Sequence, residues 1–204
     1  MLHGAAQHRQ EHRGGEATIE AALASLLYPA GGPGPDLLRA LKGFSTVLVA
    51  THGPHDQPVG ICRTTPPGAT MRRIADAMAD DPMDDQLKAQ YALLLGVRRL
   101  SALAVEPGHR GAGLGRALLQ LATRMTVQLG AQVLYGHVRT AENLADWYRE
   151  AGFTVLAPGQ GLSLAWLIHP SASVRPGPGE HLIVRMADPP TPAPFLDRGR
   201  RVGG

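Results

Sequence analysis

Residues 103–116, Leu-Ala-Val-Glu-Pro-Gly-His-Arg-Gly-Ala-Gly-Leu-Gly-Arg, constrain the fold more than any other stretch of this chain. An apolar, β-forming run breaks at Pro107-Gly108, and Gly111, Gly113 and Gly115 then lead into a helical pattern. That order predicts a strand, a glycine-rich turn and a helix start in direct succession. A helix start carries backbone N–H groups without intrahelical partners, and glycine lets a ligand approach them closely. Arg110 and Arg116 flank the amides and add positive charge, so the turn reads as an anion site suited to phosphate.

Spacing narrows the choice of phosphate ligand. A dinucleotide fingerprint places glycines first, third and sixth, but the sixth place is Arg116 counted from Gly111 and Leu118 counted from Gly113. A P-loop fails too, because no Gly-Lys-Ser or Gly-Lys-Thr follows. What remains is Arg110-x-x-Gly113-x-Gly115 behind Leu103-Ala104-Val105. This pattern resembles the coenzyme A pyrophosphate loop of the GNAT superfamily of acetyl-CoA-dependent N-acyltransferases. The following residues extend the likeness. Leu114, Leu118, Leu121, Met125 and Leu129 recur at helical spacing up to Gly130, Gln132–Val138 reads as a strand, and Asn143–Ala151 as a helix ended by Gly152. Trp147-Tyr148-Arg149-Glu150-Ala151-Gly152-Phe153 is similar to that family's Tyr-x-x-x-Gly-Phe segment, and the resemblance spans about residues 97–156.

The resemblance implies an α/β fold of the α+β type, with a mixed, mostly antiparallel sheet flanked by helices. It also implies acetyl-CoA as cofactor and transfer of its acetyl group to a primary amine, on a small molecule or a peptide. In that reading Arg110, Gly111, Ala112, Gly113, Leu114, Gly115 and Arg116 hold the pyrophosphate. Backbone groups of Leu103, Ala104 and Val105 pair with the pantetheine arm, on a strand whose neighbour splays away, and the Leu103 amide lies near the thioester oxygen. Tyr148 holds the thiol or protonates the thiolate. Asn143 is a cofactor contact, although it stands five residues before Tyr148 and the commoner slot, seven before, holds Ala141.

The amine-deprotonating base is not readable from the motif. Arg99 occupies the strand position that often carries glutamate in the family, and His137, Glu106 or a water held by Ser101 are the substitutes. An acceptor with a low amine pKa needs no strong base. The missing glutamate keeps open a catalytically silent acyl-CoA-binding regulatory module, and the inserted helices described below keep open a purely structural interaction protein.

Composition excludes more than it selects. The formal charge of +3 is small despite a pI near 9.4, and aromatics make up only 4% of the chain, so there is little material for stacking on bases and no specific nucleic acid is expected. No apolar run is long enough to span a bilayer, and residues 1–15 have no signal-peptide core, so a cytoplasmic protein without a membrane partner is expected. The nine histidines form no His-Glu-x-x-His or Cys/His array, so no metal is expected. Cys62, the only cysteine, sits in an apolar strand-like run and reads as a buried, inert thiol.

Along the chain, residues 1–15 read as a disordered leader, 16–188 as one domain, and 189–204 as a flexible tail. Thr18–Leu27 and Asp36–Leu41 read as helices, with no convincing strand before them, and Thr46–Ala50 and Val59–Arg63 as an antiparallel pair. Between the third and fourth expected strands, residues 69–96 form an insertion read as two amphipathic helices. Asp81 is the expected N-cap of the second, with Pro82 at its first position, and Met83, Leu87, Tyr91, Leu94 and Leu95 as its stripe. Such stripes must be buried somewhere, so the insertion is expected to serve the acceptor side or to form a homodimer contact. Leu162–Ile168 and His181–Met186 are expected to close the sheet as a hairpin.

Overall fold

A computed structural model of the chain describes residues 44–170 and 172–187, together with the backbone of Phe195–Leu196. The leader and the two helices expected before residue 42 lie outside the described residues, as does the tail apart from that backbone.

Strand β1 (Thr46–His52) turns at Gly53–Asp56 into β2 (Gln57–Thr65). Helices α1 (Gly68–Ala77) and α2 (Met83–Gly96) follow, then β3 (Val97–Val105), a short 3-10 turn (Pro107–His109) and α3 (Leu114–Gln128). Next come β4 (Val133–Arg139), a second 3-10 turn (Thr140–Glu142), α4 (Ala145–Glu150) and β5 (Thr154–Val155). The described chain ends with β6 (Gly161–Ser163), β7 (Ser173–Val174), β8 (Glu180–Met186) and β9 (Phe195–Leu196). The main sheet has the order β1-β2-β3-β4-β8-β5, and β3 with β4 is its one parallel pair. A small sheet, β7-β6-β9, accompanies it.

The expected closing hairpin does not form. β8 runs between β4 and β5, while Leu162 and Ser163 of β6 pair with β7 instead. Both apolar runs are core-forming, and apolarity alone does not say which strand lies beside which.

The two faces of the sheet carry separate cores. On one, α3 and α4 bury Leu118, Leu119 and Tyr148 against Cys62, Leu100 and Leu134. The buried face of α3 is Leu118-Leu119-Ala122-Thr123-Thr126, a rotation from the expected stripe that leaves Leu129 at its rim. Two threonines are admitted there, and the Thr123 hydroxyl is satisfied by donating to the Leu119 carbonyl at 2.8 Å. On the other face, α1 and its C-cap contribute Met71, Ile74 and Met78 and α2 contributes Ala89, Leu93 and Leu94, against Val97, Val133, Leu182 and Val184. The insertion thus spends its apolar surface on its own sheet. Burial of each such side chain stabilises by roughly 1.5–3 kcal/mol. Met83 and Leu95, expected in the buried stripe, are exposed: Met83 opens the helix, and Leu95 follows Leu93 and Leu94, which are turned inward.

The start of α2 also differs by one residue from expectation. Pro82 is itself the N-cap, in extended backbone with φ −52° and ψ 138°, and no side chain caps it. Gln86 instead reaches back to donate to the Asp81 carbonyl at 2.9 Å, while Asp84 and Asp85 in the first turn complement the helix dipole.

Candidate functional site

The site is built where β3 and β4 part. Their parallel pairing runs from Val97/Val133 to Leu100/Gly136 and stops. From Ser101 onward β3 stays paired only with β2, through Cys62/Leu103 and Gly60/Val105. Ser101 is the extra residue of a bulge: Arg63 pairs with Ala102 and Thr64 with Leu100, and the Ser101 hydroxyl donates to the Arg63 carbonyl at 3.2 Å. The bulge reverses the alternation, so Leu103 joins Leu100 on the α3 face.

Hydrogen-bond alternation then gives the direction of the backbone. The Glu106 N–H donates to the Val59 carbonyl at 2.9 Å, which makes 59/106 a hydrogen-bonded pair and Gly60/Val105 a non-bonded one. By the same alternation Leu103 and Val105 turn their N–H and C=O groups away from β2, toward the gap, whereas the Ala104 amide turns toward β2. One of these outward groups is already used, because Arg110 Nε donates to the Val105 carbonyl at 2.9 Å and ties the glycine turn to the strand end.

The glycine turn behaves as its sequence demands. Gly111 and Gly113 both have φ +81°, a left-handed conformation that side chains disfavour, and a Cβ at either would meet nothing within 4 Å. Gly113 is the N-cap of α3 with no side-chain capping bond, and the first intrahelical bond runs from Ala117 N to Gly113 O. The amides of Leu114, Gly115 and Arg116 are therefore left for a ligand. A Cβ at Gly115 would make only ordinary van der Waals contact, 3.5 Å from Val105 and 3.7 Å from Trp147. Arg116 is held by Glu150 at 2.7 Å, an exposed ion pair that joins the first turn of α3 to the end of α4.

Tyr148 and His137 lie on opposite faces of the sheet. Tyr148, 6% exposed, packs its ring against Trp147 at 4.8 Å and Phe153 at 5.9 Å between centroids. Burial pushes its phenol up to about 12, with the neighbouring Cys62 and Glu142 adding to the rise. Cys62 is 1% exposed and burial raises its thiol to about 11, so it is neutral and inert at neutral pH. His137 Nδ1 is 2.9 Å from Glu180 Oε2, and the same oxygen accepts from the Gly177 N–H at 2.9 Å. Those two donors, the Gly177 amide first, hold the Glu180 carboxyl below its ordinary value. A carboxylate only accepts, so Nδ1 carries the hydrogen and the neutral ring has its lone pair on Nε2. A Cβ at Gly177 would lie 3.0 Å from the same carboxylate oxygen and would have to displace it by a few tenths of an ångström.

The other base candidates are placed elsewhere. Glu106 is exposed beside His109 at 3.7 Å, and the Ser101 hydroxyl is engaged by β2. Asn143 adopts φ 51°, a left-handed conformation that asparagine tolerates, at the end of the second 3-10 turn. It lines a cleft of about 320 Å³ with Val138, Thr140, Arg149 and His181, and none of the cleft's lining residues comes from β3 or α3. Glu180 is the residue that sequence reasoning missed. It stands 43 positions from His137 and is brought to it only by the β4–β8 register, for which a single sequence carries no signal.

With this geometry in place, the family model for the acetyltransferase (GNAT) domain matches residues 43–155, more than half of the chain. The chain belongs to the GNAT family. No curated protein matches it significantly. Among solved structures it is similar to an acetyltransferase from Bacillus cereus ATCC 14579, at 12% identity and a TM-score of 0.43, covering 70% of this chain and 72% of that one. A GNAT family acetyltransferase from Elizabethkingia anophelis with acetyl-CoA bound aligns at 11% identity and a TM-score of 0.44, over 78% of this chain and 94% of that one. The PaiA N-acetyltransferase from Thermoplasma acidophilum in complex with coenzyme A aligns at 11% identity and a TM-score of 0.44, over 70% and 60%. The mixed, mostly antiparallel six-stranded sheet flanked by helices is the architecture expected of this GNAT acetyltransferase. No helix among the described residues is long and apolar enough to cross a membrane.

Proposed function

We propose that this GNAT acetyltransferase uses acetyl-CoA to acetylate a primary amine by direct transfer. The observation that carries the reading is the parting of β3 from β4 immediately beside an uncapped, glycine-built helix start. A phosphate chain bound at the amides of residues 114–116 would bring the attached pantetheine against the outward N–H and C=O of Leu103 and the outward N–H of Val105, whose carbonyl Arg110 holds. Residues present on both sides of the gap fit such a ligand: open backbone at Gly111 and Gly113, and an apolar wall at Leu103 and Trp147.

The reaction forms an N–C bond and breaks a C–S bond. The amine nitrogen attacks the thioester carbon from the face that carries His137, and His137 Nε2 takes the ammonium proton. The Leu103 N–H donates to the oxygen that gains charge. Sulfur leaves toward the α3 face, where Tyr148 donates a hydrogen bond. A phenol at about 12 is a poor acid toward a thiolate of ordinary thiol pKa, roughly 8.5, so donation rather than full proton transfer is the role that its environment favours. Direct transfer also agrees with Cys62, whose buried neutral thiol is a poor candidate for an acetyl-enzyme. Arg99 in the usual glutamate slot is the one observation that favours a silent acyl-CoA-binding module instead.

Calorimetry with acetyl-CoA and a thiol-release assay over an amine library test both readings. Gly113→Val strains a φ +81° position and places a side chain where the ligand backbone contacts would be. The expected result is a fall of about tenfold or more in acetyl-CoA affinity, the equivalent of losing one or more backbone contacts to an anion. Unchanged affinity in a folded variant removes the glycine turn from the site, and binding without turnover on any amine selects the silent module.

A further inference from the structure

Among the described residues, one cation on the acceptor face has no hydrogen-bonded or ion-paired partner. Arg99 neighbours Tyr135 in register across the β3–β4 pair, and the Tyr135 and His137 rings meet at 5.9 Å. Its charge acts on both Tyr135 and Glu180, which places it in the same cluster as the proposed base. Yet Arg99 makes no hydrogen bond or ion pair to a described residue, and its Nε is shut off from water with no acceptor. A buried donor without an acceptor is destabilising, and guanidinium forks are matched best by planar, two-oxygen anions.

The local carboxylate does not fill this need. Glu180 Oε2 is taken by His137 and by the Gly177 amide, both at 2.9 Å. The second guanidinium acting on Tyr135 belongs to Arg73 of α1, which turns to the Thr70 hydroxyl at 3.5 Å and the Ser173 carbonyl at 3.3 Å. Among the described residues the charge that β3 places on the acceptor face thus lacks a hydrogen-bonded or ion-paired anion, at a position where an acetyltransferase that takes a cationic acceptor would gain from an anion.

We infer that the acceptor is a primary amine that also carries a carboxylate, held by the Arg99 guanidinium with its amino group toward His137. This rests on the acetyl-transfer reading and deepens it by naming the acceptor class. Arg99 and His137 stand on adjacent strands about 4.8 Å apart and two residues out of register, roughly 6–7 Å along the strand. A short amino acid spans that interval, while a polycationic amine meets Arg99 with like charge. Arg99 is here a specificity residue.

The test compares three series of equal length with acetyl-CoA: ω-amino acids with one to five methylenes, their carboxamides, and the matching aminoalkylphosphonates. Thiol release gives kcat/KM for each. A charge-assisted contact predicts that the best carboxylate exceeds its carboxamide by about ten- to a hundredfold. Arg99→Gln should bring that ratio toward one, and Arg99→Lys should restore part of it, with circular dichroism confirming that both variants fold. Amides used as well as carboxylates, phosphonates preferred to both, or a ratio unmoved by Arg99→Gln each overturns the inference. So does the absence of turnover with every carboxylate in a protein that binds acetyl-CoA. Failure to bind acetyl-CoA by calorimetry overturns the acetyl-transfer reading itself, and so the two failures are told apart.

Discussion

The α3–α4 face and the insertion face of the sheet are both packed with buried aliphatic side chains, yet they divide polar chemistry unequally. The α3–α4 face has its glycine turn at the edge, and its interior holds neutral groups of low polarity, the hydroxyls of Thr123, Thr126 and Tyr148 and the Cys62 thiol. The insertion face carries Tyr135, His137, Glu180 and Arg99 among or beside its buried aliphatics. In the proposed reaction an apolar wall suits a long, neutral pantetheine arm whose charges sit at the far end, and a cluster of polar side chains suits a small acceptor that must lose a proton. The difference teaches that the gap between β3 and β4 joins two environments, and that variants on the two sides should fail in different ways.

The largest effect should come from the polar side. If His137 takes the amine proton, His137→Ala should lower kcat by about 10²–10⁴, the usual span for a general base, while calorimetry shows acetyl-CoA affinity within about twofold of wild type. Loss of cofactor affinity in that variant would break the division between the faces, because it would make His137 part of the wall that holds the arm.

From the other side, Tyr148→Phe keeps the ring contacts with Trp147 and Phe153 and removes only the hydroxyl. A fall in kcat of roughly ten- to a thousandfold is expected, with acetyl-CoA affinity little changed. The raised phenol sharpens this into a pH test. With a phenol at about 12, Tyr148 stays protonated across the working range, so the wild-type kcat profile should show no limb assignable to it up to pH 10. A wild-type rate in Tyr148→Phe, with chemistry shown to be limiting, would reduce the residue to packing.

The two faces also differ in how far the sequence discloses them. The glycine turn, α3 and the Tyr148 segment are contiguous in the chain, so spacing alone exposes them: Gly111 and Gly113 stand where left-handed backbone is needed, and Tyr148 four residues before Gly152. The insertion was legible as two helices for the same reason, by local periodicity, but not as a sheet cover, since the target of an apolar stripe is a tertiary fact. His137 could be singled out, whereas its partner could not, because the register that brings Glu180 to it depends on β8 taking the place beside β4. The same placement of β8, between β4 and β5, is what takes it from the expected hairpin with Leu162–Ile168 and leaves β6 to pair with β7. Arg99 was visible only as a departure from a family pattern, and its missing partner becomes visible only in three dimensions.

The smallest predicted effect tests whether the polar side is held together by charge. Glu180 has its carboxyl below the ordinary carboxylate value, chiefly through the Gly177 amide and then through His137. A carboxyl that is a stronger acid in the folded state favours folding when ionised. Its contribution is therefore present above the unfolded pKa, about 4.3 for glutamate, and is lost as pH falls through the folded value. Glu180→Gln keeps an oxygen acceptor for the Gly177 amide and removes the charge. Since Glu180 is partly exposed, with a third of its side chain open to water, the loss at pH 7 should be no more than about 1 kcal/mol. Melting temperatures of wild type and Glu180→Gln should differ most between pH 5 and 7 and converge as the solution is taken below about pH 4. A gap that stays constant down to pH 3 would mean that shape rather than charge joins Gly177, Glu180 and His137. The polar face would then be organised, like the α3–α4 face, mainly by packing.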